Sequence, residues 1–221
     1  MTRIRPLSKR QASPLVKFAY GASRRQLGRD VDPVGVYAHA PTLLLGYGAF
    51  EKATTKQHRV EERLKVLAET KAAALVNCEF CCDIASHLAR EEGISEAQLL
   101  ALPHYRDSDE FDHLEKLVLD YTSAICRTPT TVSDELFAAL REHFDERQMV
   151  ELTNVIVLED MRARFNSAFA MNPAGFSDEM VCVVPEPAAG EPAGATAASA
   201  PAPAPAPAAS EPAAGEALLR A

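Results

Sequence analysis

No stretch of the 221-residue chain reaches the roughly 18–20 consecutive apolar residues of a membrane-crossing helix, so no membrane span is expected. Positive charge is not concentrated either. The chain carries 23 Lys and Arg against 31 Asp and Glu, a formal net charge of −8. Nucleic-acid binding draws on a dense basic surface, so no nucleic-acid partner is expected. The start, MTRIRPLSKR, is basic, but no apolar segment follows it, which argues against a secretory signal. Cysteine is scarce. The five present are odd in number, and three crowd together at Cys78, Cys81 and Cys82, unlike an extracellular disulfide framework. A reducing cytoplasm fits that usage. Glycine and proline thin out between Glu51 and Ala170, and no run alternates apolar with polar residues, so strands are not expected there.

What is present divides into three stretches. Residues 185–221 hold eight of the fifteen prolines and almost no large apolar side chains. Proline and alanine offer little burial to offset the entropy of ordering, so this stretch reads as a disordered Ala/Pro-rich tail with extended polyproline character. Its four Glu and one Arg account for −3 of the net charge. Residues 1–33 read as an N-terminal helical extension, and residues 34–184 as one helical domain with room for a sizeable core.

Local signals set the helices. Pro14 suits a first turn, and Gly28 ends a helix over 14–27. Asp32-Pro33 reads as the opening of a linker. Further helices are expected from Pro41, over about 58–77, and from near Cys78 to Glu92, where Gly93 stops the last. Ser95 opens a capping-box pattern with Gln98. Leu114, Leu117, Val118, Tyr121 and Ile125 recur at helical spacing, while Ser133 and Asp145 each cap a helix, the second running to Met171 before Asn172-Pro173. The fold class is all-α: an antiparallel bundle of helical hairpins.

The chemistry concentrates in Asn77-Cys78-Glu79-Phe80-Cys81-Cys82-Asp83. Residues three apart share a helix face, so Cys78 and Cys81 can come within disulfide reach. A thiol at a helix N-terminus meets the positive end of the dipole, which favours the thiolate. That species attacks a peroxide or disulfide, and its neighbour resolves the product. Two bland readings stand beside this one. A structural zinc would need a second ligand pair, and Cys126 and Cys182 are single and distant. The cysteines could also be inert core filler. Cys82, four residues from Cys78, could pair with it but reads as packing. Asp83 reads as facing solvent or capping a turn. His39, His58, His104, His113 and His143 are scattered and read as surface residues.

The segment AALVNCEFCCDIASHLAREEGISEAQLLAL resembles the carboxymuconolactone decarboxylase family, in its alkylhydroperoxidase AhpD-like branch. The likeness extends to Val36-Tyr37-Ala38-His39-Ala40-Pro41 with Leu44, Tyr47 and Phe50. It continues through Ser133-Asp134-Glu135-Leu136-Phe137, Leu140 and His143-Phe144, and then Glu151-Leu152-Thr153 and Arg164-Phe165-Asn166. It covers roughly residues 34–172. The resemblance implies an AhpD-like helical bundle that assembles as a homo-oligomer, a trimer or hexamer. It implies peroxidase or thiol–disulfide oxidoreductase activity of an antioxidant kind, acting on a small peroxide or disulfide and renewed by a thiol reductant. No cofactor and no metal are expected. By similarity Cys81 would meet the peroxide and Cys78 would resolve it. The family name also admits a lactone decarboxylase or isomerase, and loss of function would leave a non-catalytic oligomeric scaffold.

Active relatives carry a glutamate twelve residues before the first cysteine and a histidine four after the second, which together relay protons. Here those positions are Val66 and Ala85, and neither can move a proton. Glu69 lies one turn beyond Val66, displaced by about 60° at about 100° per residue, and can address the same cleft or stand as an ordinary solvated helix glutamate. His87 is about 200° from Ala85 and points elsewhere. Glu159 adjoins the apolar run Val155-Ile156-Val157-Leu158, where burial would raise its pKa, with Arg162 three residues on as an ion-pair partner. The candidate catalytic residues are therefore Cys78, Cys81, Glu69 and Glu159.

Overall fold

The computed structural model describes residues 2–177 and 183. Among them every regular element is helical, in the order α1 (Pro14–Leu27), α2 (Asp32–Tyr37), α3 (Pro41–Thr54), α4 (Glu62–Leu75), α5 (Glu79–Glu91) and α6 (Glu96–Ala101). A 3₁₀ turn (Leu102–Asp107) then leads to α7 (His113–Cys126), α8 (Asp134–Arg141) and α9 (Glu146–Ala168). No helix of the described residues is long and apolar enough to cross a membrane. The Ala/Pro-rich tail lies outside them.

The start signals work as their chemistry requires. Ser13 and Ser133 accept the backbone N–H of Val16 and Leu136. Ser95, Asp112 and Asp145 each form a full capping box with the side chain three residues on. Three boundaries differ from expectation, the first being that the helix expected over about 58–77 spans Glu62–Leu75. Asp32–Tyr37 is a short helix rather than a linker, because Pro33 fits its first turn and Gly35 and Val36 are buried. The last helix stops at Ala168, short of Met171, with Ala170 left-handed at φ 49°.

Helix α4 is the axle. It packs against α5, α7 and α9, and Ala68, Ala72 and Ala73 are wholly buried along it. Small side chains on several faces let three neighbours close in at once. One core cluster gathers Val66, Leu67, Cys78, Cys81, Cys82, Ala85, Leu119, Ala163, Met171 and Phe176. A second, between α4, α7, α8 and α9, holds Leu64, Ala68, Val118, Leu140, Leu152 and Ile156. A smaller third ties α1 to α2 and α3 through Val16, Tyr20, Ala38 and Leu44.

The joint between α4 and α5 sets the site. Asn77 is left-handed at φ 57°, a conformation that short polar side chains tolerate. The Cys78 N–H bonds the Ala73 carbonyl and the Asn77 N–H bonds that of Ala74, closing a Schellman motif. The chain thereby reverses in two residues, and Cys78 becomes the N-cap of α5.

Candidate functional site

At that cap the Cys78 sulfur accepts the backbone N–H of Cys81 at 3.2 Å. It also receives the Cys81 thiol as a hydrogen-bond donor. Both residues are buried, with 2 % and 5 % of their surfaces exposed, and both are unbridged. The Cys81 thiol, chiefly, and then the Cys81 backbone N–H hold the Cys78 pKa down against the cost of burial. Cys81 moves the opposite way. Its proton is engaged by Cys78, burial disfavours its anion, and the Glu159 carboxylate repels it, so its pKa is raised. Of the two thiols, Cys78 is the stronger acid. The cap geometry favours the first sulfur as the anion, whereas the resemblance implies Cys81 as the one that meets the peroxide.

Helix α9 flanks Cys81 from two positions. Asn166 donates its amide N–H to the Cys81 sulfur at 3.3 Å. Seven residues earlier, two turns back on the same face, the Glu159 carboxylate is within hydrogen-bonding reach of the same thiol. Glu159 is 7 % exposed, and burial first, then the charge of Glu69, pushes its pKa up to about 7 in spite of Arg162. The expected Glu159–Arg162 ion pair forms at 2.9 Å.

Arg162 is the hub of a larger cluster. Its Nε and Nη2 grip Glu51 of α3 at 2.8 and 2.5 Å, and Nε also donates to the Tyr47 hydroxyl at 3.2 Å. Its Nη1 reaches both Glu159 and, at 3.1 Å, Glu69 of α4. Glu69 is thus a member of the site rather than a solvated helix glutamate, and burial raises its pKa. Tyr37 lies stacked between Tyr47 and Phe165, with ring centroids 4.9 and 4.1 Å away, forming an aromatic wall beside the ionic cluster. Val66 and Ala85 pack in the hydrocarbon with the cysteines, so the polar groups of this site reach it from α3, α4 and α9 instead.

Asp83 is buried, not solvent-facing. Its carboxylate accepts the backbone N–H groups of Ala174, Phe176 and Ser177, so the turn-capping part of the expectation stands while solvation does not. Cys82 packs in the core beside the pair. Cys126 belongs to the second cluster, and burial pushes its pKa up to about 12. Cys182 lies outside the described residues. His87 is half-exposed beside Glu91 and Phe176, and the other five histidines are exposed. Among the described residues no cluster of three or more His, Cys, Asp or Glu side chains could hold a metal. Sequence reasoning missed Glu51, Tyr47 and Asn166. The spacing of Asn166 from Glu159 was the available signal, since seven residues place both on one helix face.

No family model matches the chain. The uncharacterized protein YnjA of Escherichia coli strain K12 is 33% identical over 164 residues, covering 74% of this chain and 87% of that protein. A putative antioxidant defence protein AhpD from Agrobacterium tumefaciens is 26% identical over 62% of this chain and 96% of that one, with a TM-score of 0.55. The chain belongs to the AhpD-like carboxymuconolactone decarboxylase family. The alkylhydroperoxidase AhpD core of a peroxidase-related protein from Ralstonia eutropha JMP134 shares the family fold. Its TM-score is 0.70 at 18% identity, over 84% of this chain and 98% of that one. So does the debrominase Bmp8, at a TM-score of 0.68 and 19% identity over 77% and 91% of the two chains. The family fold thus carries more than one named activity.

Proposed function

We propose that this protein is a thiol-dependent oxidoreductase that reduces a small peroxide through Cys78 and Cys81. The observation that carries the reading is the unequal pair: a Cys78 sulfur capped by the Cys81 N–H and shifted toward the thiolate, beside a Cys81 shifted toward the thiol, which Glu159 and Asn166 flank.

The chemistry then has two steps. The Cys78 thiolate attacks the near oxygen of the peroxide, the O–O bond breaks, and the leaving alkoxide takes a proton to depart as alcohol. Cys78 becomes a sulfenic acid. Cys81 next attacks the Cys78 sulfur. The Cys81 proton passes to the Glu159 carboxylate, the sulfenic hydroxyl leaves as water on gaining a proton, and a disulfide forms. The Asn166 N–H supports the growing negative charge on the Cys81 sulfur as its proton leaves. A dithiol reductant returns both cysteines to the starting state. A small disulfide could enter the same cycle, since Cys78 would form a mixed disulfide that Cys81 releases. The burial of both sulfurs favours the smaller peroxide. Assembly as a trimer or hexamer belongs to the same proposal, and light scattering on the purified chain reads it directly.

Consumption of cumene hydroperoxide with dithiothreitol as reductant tests the reading. Cys78→Ser is expected to fall to background. Cys81→Ser is expected to react once, leaving a sulfenic acid at Cys78 that dimedone traps. Peroxide consumption by Cys78→Ser at the wild-type rate would remove the proposal.

A further inference from the structure

We propose that Glu69 and Glu159 hold a single proton between them near neutral pH, with Arg162 as the positioning residue that joins them, so that the site draws its acid and its base from one carboxyl pair. The inference rests on the thiol reading for its purpose but not for its geometry.

One guanidinium meets three carboxylates in this cluster. Glu51 takes two of its nitrogens, Nε and Nη2, in a two-point grip, which matches one positive charge with one negative. Glu69 and Glu159 are left to share the remaining nitrogen, Nη1, at 3.1 and 2.9 Å. Two carboxylates on one N–H₂ group, with their countercharge already engaged, cannot both ionise cheaply. The arrangement is that of a paired-carboxylate site in which one proton serves two groups.

The surroundings reinforce this. On α3 the pair faces Glu51 and the Tyr47 hydroxyl, and on α4 Glu62, itself paired with Lys65 at 2.7 Å, lies near Glu69. On α5 it faces Cys81, and behind that Cys78, whose anion is also negative. On α9 the neighbours are Arg162, the cation that both acids bond, and Asn166 at the far side of Cys81. Burial pushes the two carboxyl pKa values in the same direction, upward. The pair can therefore give a proton to a leaving oxygen through Glu159 and accept the Cys81 proton at the same atom. The second carboxylate holds the pair's pKa near working pH.

Infrared difference spectroscopy on the whole protein, with glutamate carrying a ¹³C-labelled side-chain carboxyl, tests the sharing without turnover. Wild type at about pH 6 is expected to show one protonated-carboxyl stretch that titrates near neutrality. Glu69→Gln is expected to lose it, because the surviving Glu159 then ionises beside Arg162, and Glu159→Gln is expected to lose it for the mirror reason. In step with this, Glu69→Gln is expected to move the pH midpoint of peroxide-driven disulfide formation downward by on the order of one pH unit. A band that persists at about pH 6 in either folded variant, or an unmoved midpoint in Glu69→Gln, overturns the shared proton. The thiol reading is tested separately by Cys78→Ser and would survive that result.

Discussion

At the scale of single residues, the site distinguishes two chemically identical side chains by where their hydrogen bonds come from. Cys78 receives two donors from Cys81, one from the backbone and one from the thiol, whereas Cys81 receives the Asn166 amide and gives its own proton away. Removing the thiol donor must therefore weaken the Cys78 acid. In Cys81→Ala the pH midpoint of Cys78 alkylation by iodoacetamide is expected to rise toward the ordinary thiol range by on the order of one unit. An unchanged midpoint would mean that the backbone cap alone sets the thiolate. The cysteine spacing and the Glu159–Arg162 pair are legible in the sequence, since three residues on a helix define a face. The grip of Arg162 on Glu51 and the reach of Asn166 to Cys81 join residues 111 and 85 positions apart. No local pattern encodes such contacts.

At the scale of elements, caps decide most boundaries, and they are legible because their partners are three residues away. Ser95, Ser133 and Asp145 begin helices where their side chains predict. The short α2 escaped notice because its N-cap residue makes no side-chain bond, leaving tertiary burial to stabilise it. Asp83 escaped for a related reason, since its acceptors are used by backbone more than ninety positions downstream. That carboxylate straps residues 174–177 onto α5 directly beside the cysteines, and the Ser177 hydroxyl returns a bond to the Asp83 carbonyl. Asp83→Ala leaves three backbone N–H groups without their acceptor and is expected to cost on the order of 2–4 kcal/mol by urea denaturation. A loss below about 0.5 kcal/mol would place the strap outside the cooperative unit.

At the scale of the whole molecule, the buried acids make stability depend on pH in a direction opposite to ordinary salt-bridged carboxylates. Glu159 titrates at about 7 in the folded chain against 4.5 when unfolded, and Glu69 is shifted the same way. The unfolded state therefore releases its protons first. The contribution of Glu159 is fully present below about pH 4.5 and is lost as pH rises through about 7, and Glu69 acts in the same direction. Thermal melts across that window are expected to show this decline in wild type and a flatter profile in Glu159→Gln, once the exposed carboxylates common to both are subtracted. Identical slopes in the two proteins would contradict the raised acid.

The two-point grip of Glu51 on Arg162 reaches beyond charge neutralisation. Glu51 sits on α3, which shares its apolar cluster with α1 and α2. Were that helix to swing outward, the guanidinium would turn its freed nitrogens to the remaining acids and make them stronger. The docking of the first quarter of the polypeptide and the readiness of the interior to part with a hydrogen ion are thus one mechanical variable, with a single arginine as the linkage.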